Sequence, residues 1–356
     1  MNRNDLITNH LREHDLDAFL SIKASNILYS SGFTGGEGIV IVFSTGRIIL
    51  LVDGRYTYQA KTQAFSNVEV YEYQPKQLWD MISEYIQNAQ FIGLEGETHL
   101  SLYLRLFDKF PEKSWKNTPD FFELIRMKKE ENEISILQEA ANIANQSYLA
   151  MLNHIKAGIT EAELSAILEY EMKKRGGQKV SFDTIVASGR RSAMPHGVAS
   201  EKKIEHGDII TFDFGVFYQG YASDTTRTIA FGKPQDPEAE KVYKIVLEAQ
   251  KKAIDSISEG VLCSDIDMLA REYITQQGYG VYFKHSTGHG VGLEIHELPR
   301  ISSDNKIPLA KGMLITIEPG IYLDERFGVR IEDSVIVLEK GYLNLTHLEK
   351  DELIII

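Results

Sequence analysis

Ile209-Ile210-Thr211-Phe212-Asp213-Phe214-Gly215-Val216, a turn at Tyr218-Gln219-Gly220, and Tyr221-Ala222-Ser223-Asp224-Thr225-Thr226-Arg227-Thr228 form two strand-like runs that each carry one aspartate. A turn symmetric about its centre puts Asp213 and Asp224 opposite each other on adjacent antiparallel strands, on a shared face, with Cβ atoms roughly 5 Å apart. Two like charges at that distance repel unless one is protonated or a cation lies between them. Aspartate is also depleted in strand interiors, so a carboxylate between Phe212 and Phe214 needs compensation. Metal ions supply it, and a pair of ions roughly 3.5–4 Å apart suits the gap. The competing reading, a hairpin whose acids point to solvent, applies to most isolated aspartate pairs.

Further along, His285-Ser286-Thr287-Gly288-His289-Gly290-Val291-Gly292-Leu293-Glu294-Ile295-His296-Glu297 places three histidines in a glycine-rich stretch. Glycines flanking His289 permit unusual dihedrals and close approach of other groups, as a buried ligand loop requires. A neutral imidazole at His289 can coordinate a metal, and His296 can hydrogen-bond a bound carbonyl oxygen. The zincin pattern fails because Arg300 stands where its second histidine belongs, and the nucleotide-binding glycine fingerprint has a different spacing. A histidine taken singly is more often a satisfied structural or surface residue, and His285 keeps that reading.

Two more acids join the set. Glu318 ends the apolar run Met313-Leu314-Ile315-Thr316-Ile317 and precedes Pro319-Gly320, so a carboxylate is presented at a sharp strand end. Gly328 to Leu338 reads as one strand, whose alternation puts Arg330, Glu332 and Ser334 on one face and Ile331 and Asp333 on the other. Glu332 can then coordinate beside Arg330, with a plain ion pair between them as the competing explanation. Asp333 reads as a structural or surface acid. Four carboxylates and one imidazole suit manganese, cobalt, iron or zinc better than a thiolate-loving ion. Two divalent ions, manganese first, would bring Asp213, Asp224, His289, Glu318 and Glu332 close to neutrality, and a water shared by both would become a nucleophile near neutral pH.

The chain has 356 residues, 43% hydrophobic and 25% charged, which allows two folded domains with sizeable cores. A formal net charge of -13 argues against nucleic-acid phosphate, which demands clustered Lys and Arg, and favours small or peptide substrates. Cys263 is the only cysteine, so no internal disulfide or Cys-rich zinc knuckle is expected and a reducing compartment is the natural setting. The N-terminal stretch lacks an apolar signal core, and no stretch approaches the roughly 18 apolar residues of a membrane span. A cytoplasmic protein without a membrane partner is expected.

Residues 1–125 alternate helical and strand patterns, as in an α/β domain. Gly38 to Phe43 and Arg47 to Val52 are joined by Ser44-Thr45-Gly46, a hairpin pattern, while Leu78 to Ile86 and Leu100 to Phe110 read as helices. Asp53-Gly54-Arg55-Tyr56 reads as a solvated turn, with a substrate-facing loop as the alternative. A boundary at residues 122–130 is followed by a long helix from near Glu130, with a stop at Gly158. Thr160 and Glu163 form a capping box opening a second helix that runs to Gly176-Gly177. Residues 126–356 add helices over roughly Pro237 to Ser258 and Ser264 to Gln277 among strands, with no short-period repeat.

Phe212-Asp213-Phe214-Gly215, Ser223-Asp224-Thr225-Thr226-Arg227, Gly288-His289-Gly290-Val291-Gly292-Leu293-Glu294-Ile295-His296-Glu297, Ile317-Glu318-Pro319-Gly320-Ile321-Tyr322 and Val329-Arg330-Ile331-Glu332-Asp333 occur in that order. This set resembles the pita-bread metallopeptidases, specifically the Xaa-Pro group of proline dipeptidase (prolidase) and Xaa-Pro aminopeptidase. The resemblance covers essentially the whole chain. It implies an α/β creatinase-like N-terminal domain over 1–125, an α+β pita-bread catalytic domain over 126–356, and a homodimer. It also implies that all five residues above, four acids and one histidine, are metal ligands, with Asp224 and Glu332 touching the metals most extensively. His196, in Met194-Pro195-His196-Gly197, would stand near the substrate and the leaving nitrogen. His296 would contact the substrate carbonyl, Tyr322 and Arg330 would support the cage and the reacting groups, and Glu318 would move a proton. The implied activity is hydrolysis of the bond between an N-terminal residue and a following proline, by attack of a metal-bridged hydroxide. An Xaa-Pro bond has no amide hydrogen, so peptidases that grip an extended backbone N–H are poorly placed to cut it. The alternatives are a general aminopeptidase like methionine aminopeptidase, which the extra N-terminal domain disfavours, and a non-catalytic peptide-binding module on the same fold.

Overall fold

The computed structural model describes residues 2–356, and the chain divides into two compact units, one ending at Arg126 and the other spanning Met127–Ile356. The first is an α/β unit around six strands: β1 (Ala18–Ser21), β2 (Ile39–Phe43), β3 (Ile48–Asp53), β4 (Val68–Tyr73), β5 (Phe91–Leu94) and β6 (Ser114–Asn117), in the order β4-β3-β2-β1-β5-β6. β1, β2 and β3 are antiparallel neighbours and the outer pairings are parallel. Around them lie α1 (Arg3–Glu13), α2 (Ala24–Ser31), α3 (Thr57–Gln63), α4 (Leu78–Ile86), α5 (Leu100–Lys109) and α6 (Phe121–Arg126). Both faces of the sheet are covered, which is why β2 and β3 are apolar without alternation. α4 and α5 bury Ile82, Ile86 and Leu106 against Ile41, Ile49, Leu51 and Ile92, while Phe121 stacks on Phe19 at 4.3 Å. Arg55 is exposed and paired with Asp53 (2.6 Å) and Glu37 (2.7 Å), so Asp53-Gly54-Arg55-Tyr56 is a solvated turn.

In the second unit α7 (Glu131–Leu152) and α8 (Glu161–Lys174) lead into β7 (Lys179–Val180), β8 (Ile185–Ser188), β9 (Ile209–Phe214), β10 (Val216–Tyr218), β11 (Tyr221–Ala222) and β12 (Thr225–Ala230). α9 (Ala239–Asp255) and α10 (Cys263–Gln276) follow, then β13 (Gly288–Gly290), β14 (Glu297–Ile301), β15 (Leu314–Ile317), β16 (Gly320–Leu323), β17 (Phe327–Arg330), β18 (Asp333–Val337) and β19 (Tyr342–Asn344). The strands form small sheets in the orders β12-β9-β8, β11-β10-β7, β14-β13-β15-β18-β19 and β16-β17. The capping box of Thr160 and Glu163 opens α8. α7 stops at Leu152 rather than at Gly158, because the Asn153 side chain turns back onto the carbonyls of Leu149 and Ala150. Among the described residues no helix is long and apolar enough to cross a membrane.

Period-two alternation assigns the faces. Ile210, Phe212 and Phe214 of β9 pack under α7 and α8, with Tyr148 stacked on Phe214 at 5.2 Å. Thr211 and Asp213 therefore look the other way. The hairpin turns on Gln219 (φ 47) and Gly220 (φ 86), a two-residue turn with positive φ at both centres, flanked by Tyr218↔Tyr221. This moves the register from that expected: Asp213 faces Thr226, and Asp224, just ahead of β12, is its diagonal neighbour. A slip of two residues preserves the face, so both carboxylates still share it. Gly215 permits the close approach there, since a Cβ would lie 1.9 Å from the Ser223 carbonyl oxygen.

The single strand expected over Gly328 to Leu338 is two. Arg330 pairs with Gly320 in one sheet and Asp333 with Ile317 in another. The chain changes sheets at Ile331-Glu332, where the Glu332 N–H donates to the Thr226 carbonyl at 3.2 Å. Behind this switch lies Arg227, 1% exposed, which donates to the carbonyls of Thr226, Glu332 and Leu348 and to the Asp333 carboxylate at 2.8 Å. Asp333 is wholly buried and also accepts from Lys350 and Asn344. Burial alone would raise its carboxyl, but Arg227 and Lys350 together outweigh that and hold it below the usual range. Removing one partner of a buried pair costs about 3–5 kcal/mol, because it strands the other charge. Arg227→Met should lower the stability of the second unit by about that amount in urea unfolding; an unchanged midpoint would mean the pair does not hold the strand switch.

Candidate metal centre

Five elements deliver the site. Asp213 comes from β9, Asp224 from the residue before β12, His289 from the middle of β13, Glu318 from the end of β15 and Glu332 from the switch between β17 and β18. His289 can stand there because its neighbours are glycines. A Cβ on Gly288 would lie 1.9 Å from the Thr316 carbonyl oxygen, and one on Gly290 would lie 2.2 Å from that of Leu298. Ligand atoms of Asp224, His289 and Glu332 lie within 4.8 Å of one another. His289 Nε2 is 3.4 Å from Asp224 Oδ2 and 3.4 Å from Glu318 Oε1. One oxygen of each remaining acid is held: Arg330 Nη2 donates to Asp213 Oδ2 at 2.6 Å and Thr226 Oγ1 to Glu332 Oε2 at 2.8 Å. Their other oxygens, Asp213 Oδ1 and Glu332 Oε1, are buried with no hydrogen-bond partner among the described residues.

The electrostatics of this arrangement are unfavourable without a cation. Burial first, and then the charges of neighbouring acids, drive the carboxyls of Asp224 and Glu332 well above their ordinary range. Burial likewise pushes Glu318 up to about 8. His289 is pushed down to about 4 by burial, so it is neutral at physiological pH despite lying at ion-pair range from two carboxylates. Its Nδ1 meets the Gly290 carbonyl oxygen at 2.9 Å, which requires the N–H at Nδ1 and leaves a lone pair on Nε2 aimed at the acids. A lone pair facing carboxylate oxygens, beside two stranded buried oxygens, is the donor set of a metal site. Oxygen donors with one imidazole suit divalent first-row metals, and the lone thiol, Cys263, is buried in the α9–α10 core away from them. The residues present therefore fit divalent metal.

Arg330 does not pair with Glu332, as neighbours on one strand face would; the change of sheet between them turns Arg330 to Asp213. Its Nη1 also donates to the Tyr322 hydroxyl (2.7 Å) and the Pro195 carbonyl (3.2 Å). His285, which the sequence leaves as a structural or surface residue, belongs to this array. Its Nδ1 donates to the Ser286 carbonyl at 2.8 Å, so Nε2 accepts from the Tyr322 hydroxyl at 3.0 Å. Burial holds His285 at about 4 and lifts Tyr322 to about 12, which keeps both neutral. The His296 ring lies 4.4 Å from that of His289, edge to face, and burial lowers its basicity. Behind it Lys129 and Glu297 form a buried ion pair at 3.1 Å, a contact without a sequence signal because the partners come from distant parts of the chain. His196 is exposed and stands within electrostatic reach of both His296 and His285. The structure thus brings Asp213, Asp224, His289, Glu318 and Glu332 together, sets Arg330 and Tyr322 against the Asp213 side, sets His296 against His289, and leaves His196 at the open edge.

Comparison with known proteins agrees with this chemistry. Residues 135–339 match the model of metallopeptidase family M24, and residues 3–128 match that of the creatinase/prolidase N-terminal domain. The Xaa-Pro dipeptidase of Pyrococcus furiosus is 41% identical over 98% of this chain and 99% of its own length. Among solved structures, the Xaa-Pro dipeptidase of Bacillus anthracis superposes with a TM-score of 0.94 at 40% identity, covering 99% of each chain. The X-Pro aminopeptidase of Thermotoga maritima gives 0.90 at 40% identity, covering 98% of this chain and 100% of that one. With an α/β creatinase-type domain ahead of an α+β pita-bread domain, the chain belongs to metallopeptidase family M24 and is a hydrolase.

Proposed function

We propose that this enzyme hydrolyses Xaa-Pro dipeptides, that manganese is its metal, and that it works as a cytoplasmic homodimer. The observation that carries the reading is the pair of stranded carboxylate oxygens beside the neutral His289, whose Nε2 faces the acids. Support for proline comes from the Xaa-Pro names of relatives at 40% and 41% identity and from the creatinase/prolidase match over residues 3–128. That N-terminal match speaks against a methionine-aminopeptidase-like enzyme. The single cysteine speaks for a reducing compartment.

Divalent ions held by Asp213, Asp224, His289, Glu318 and Glu332 would polarise the scissile carbonyl and supply a nucleophile from water at neutral pH. The protein residues do the rest. Arg330, steadied by Tyr322 and His285, fixes the Asp213 carboxylate by one oxygen and leaves the other free to ligate. Thr226 does the same for Glu332. Glu318 takes the proton of the attacking water, its carboxylate being ionised where a divalent ion would offset the burial that raises it in the metal-free protein. His296 hydrogen-bonds the carbonyl oxygen as it gains charge. His196 gives a proton to the departing proline nitrogen, so that the C–N bond breaks to a neutral amine. None of these contacts needs an amide hydrogen on the scissile bond, which is why a proline there is tolerated.

The manganese-loaded enzyme should cut Ala-Pro, leave Ala-Ala intact, and cut Ala-Pro-Ala poorly. Equal cleavage of Ala-Ala would defeat the proline assignment, and preferred cleavage of Ala-Pro-Ala would make the enzyme an aminopeptidase. Glu318→Gln should retain metal while kcat falls by about 10²–10⁴-fold; undiminished turnover would remove Glu318 from proton transfer.

A pH dependence follows from the same groups. Glu318 has a folded-state value raised from 4.5 to about 8, so the folded form holds more protons than the unfolded one and stability falls as pH rises through that window. His289 and His285, lowered from 6.5 to about 4, act oppositely, but only below 6.5. Between about pH 6.5 and 8 the carboxyls act alone. Over that range the metal-free protein should lose thermal stability while the loaded protein does not, as followed by differential scanning calorimetry. A metal-free protein insensitive to pH there would contradict the assignment.

A further inference from the structure

The loop between β8 and β9 carries His196 at the open edge of the cage, and its base is organised by one residue from another element. Glu161 is the first residue of α8 and is completely buried. Its Oε1 accepts from the Ser188 N–H (2.7 Å) and Ser188 Oγ (2.8 Å). Its Oε2 accepts from Arg191 Nε (2.9 Å), the Ser200 N–H (3.1 Å) and Ser200 Oγ (2.6 Å). Ser188 is the rising foot of the loop and Ser200 the descending one, so a single carboxylate closes both. Arg191 then reaches across to the Val198 carbonyl at 2.6 Å. The free N–H groups at the start of α8 add backbone bonds, Glu161 to the Lys202 carbonyl and Ala162 to that of Ser200. An anion is well placed at that helix end.

The rising foot is tied to the cage as well. Ser188 pairs with Ile210 and Ile185 with Asp213 across β8 and β9, so Glu161 references the loop to the strand that carries a metal-ligating aspartate. Along its flank the loop is held independently: the Gly328 N–H donates to Ser192 Oγ at 2.9 Å and Arg330 reaches the Pro195 carbonyl. Loss of the Glu161 staple would therefore shift the loop rather than unfold it.

We propose that Glu161 is a positioning residue for His196, its buried carboxylate joining both feet of the histidine's loop to the sheet that bears Asp213. The proposal rests on the reading of His196 as proton donor to the leaving nitrogen. Geometry at that step is exacting, and a misplacement of about 1 Å costs on the order of 10²-fold in rate. In Glu161→Gln an amide NH₂ replaces one acceptor oxygen and faces N–H or O–H donors, so the loop loses its common anchor.

The test is a double-mutant cycle on the manganese enzyme with Ala-Pro as substrate, using Glu161→Gln, His196→Ala and the two combined, with manganese affinity read by titration calorimetry. Glu161→Gln should lower kcat by on the order of 10²-fold with manganese affinity unchanged. The combined variant should be no slower than His196→Ala alone, since the staple has nothing left to position. Multiplying losses, or an altered manganese affinity in Glu161→Gln, would overturn the proposal while the role of His196 stands. Full activity in His196→Ala would instead remove that role, and the proposal with it. Should Glu161→Gln fail to fold, Ser200→Ala deletes one hydroxyl donor only. It should show a smaller loss that likewise vanishes in the His196→Ala background, and persistence of that loss would count against the staple.

Discussion

Four carboxylates converge on one neutral imidazole, and the one protein cation hydrogen-bonded to them among the described residues is Arg330, held to Asp213. Like charges in a buried site must either keep protons or share cations. The scaffold favours sharing. Each of Asp213 and Glu332 has one oxygen satisfied by Arg330 or Thr226 and one buried oxygen left without a partner, so a proton would have nothing to bond to. The surrounding packing is built to keep these groups close against their repulsion.

That packing has an identifiable order. Apolar alternation on β9 puts its aromatic residues under α7 and α8 and leaves Asp213 on the far face. Threonines line the floor: Thr226 faces Asp213 across the sheet and bonds to Glu332, Thr228 bonds to the Arg330 carbonyl, and Thr316 supports both the His289 N–H and Glu318. Short hydroxyls suit this role, being β-branched for the strand and able both to donate and to accept. Behind the floor, Arg227, Asp333 and Lys350 form a second charged layer that pins the strand switch presenting Glu332.

Much of this was legible from the chain. Asp213 and Asp224 share a face because hairpin parity survives a two-residue slip, although the slip itself, set by the positive φ of Gln219 and Gly220, left no mark that a symmetric count could use. The glycines beside His289 announced a crowded strand, and the crowding is real. Glu332 was found on a mistaken premise: alternation along one strand placed it beside Arg330, whereas the chain changes sheets between them. Long-range partners were not legible. His285 owes its place to Tyr322, Asp333 to Arg227 and Lys350, and Glu161 to Ser188 and Ser200. Hydrogen bonds between elements leave no periodicity in a single sequence, so these residues carried only the ordinary odds of a buried polar group.

The central claim is that Asp213, Asp224, His289, Glu318 and Glu332 together hold two divalent ions. Anomalous diffraction at the manganese edge from crystals of the manganese-loaded enzyme tests it most directly. Two anomalous peaks enclosed by these five side chains, with Asp213 Oδ1, Glu332 Oε1 and His289 Nε2 among the coordinating atoms, are the predicted result. A single peak, or peaks coordinated by other residues while these three atoms stay unligated, would contradict it.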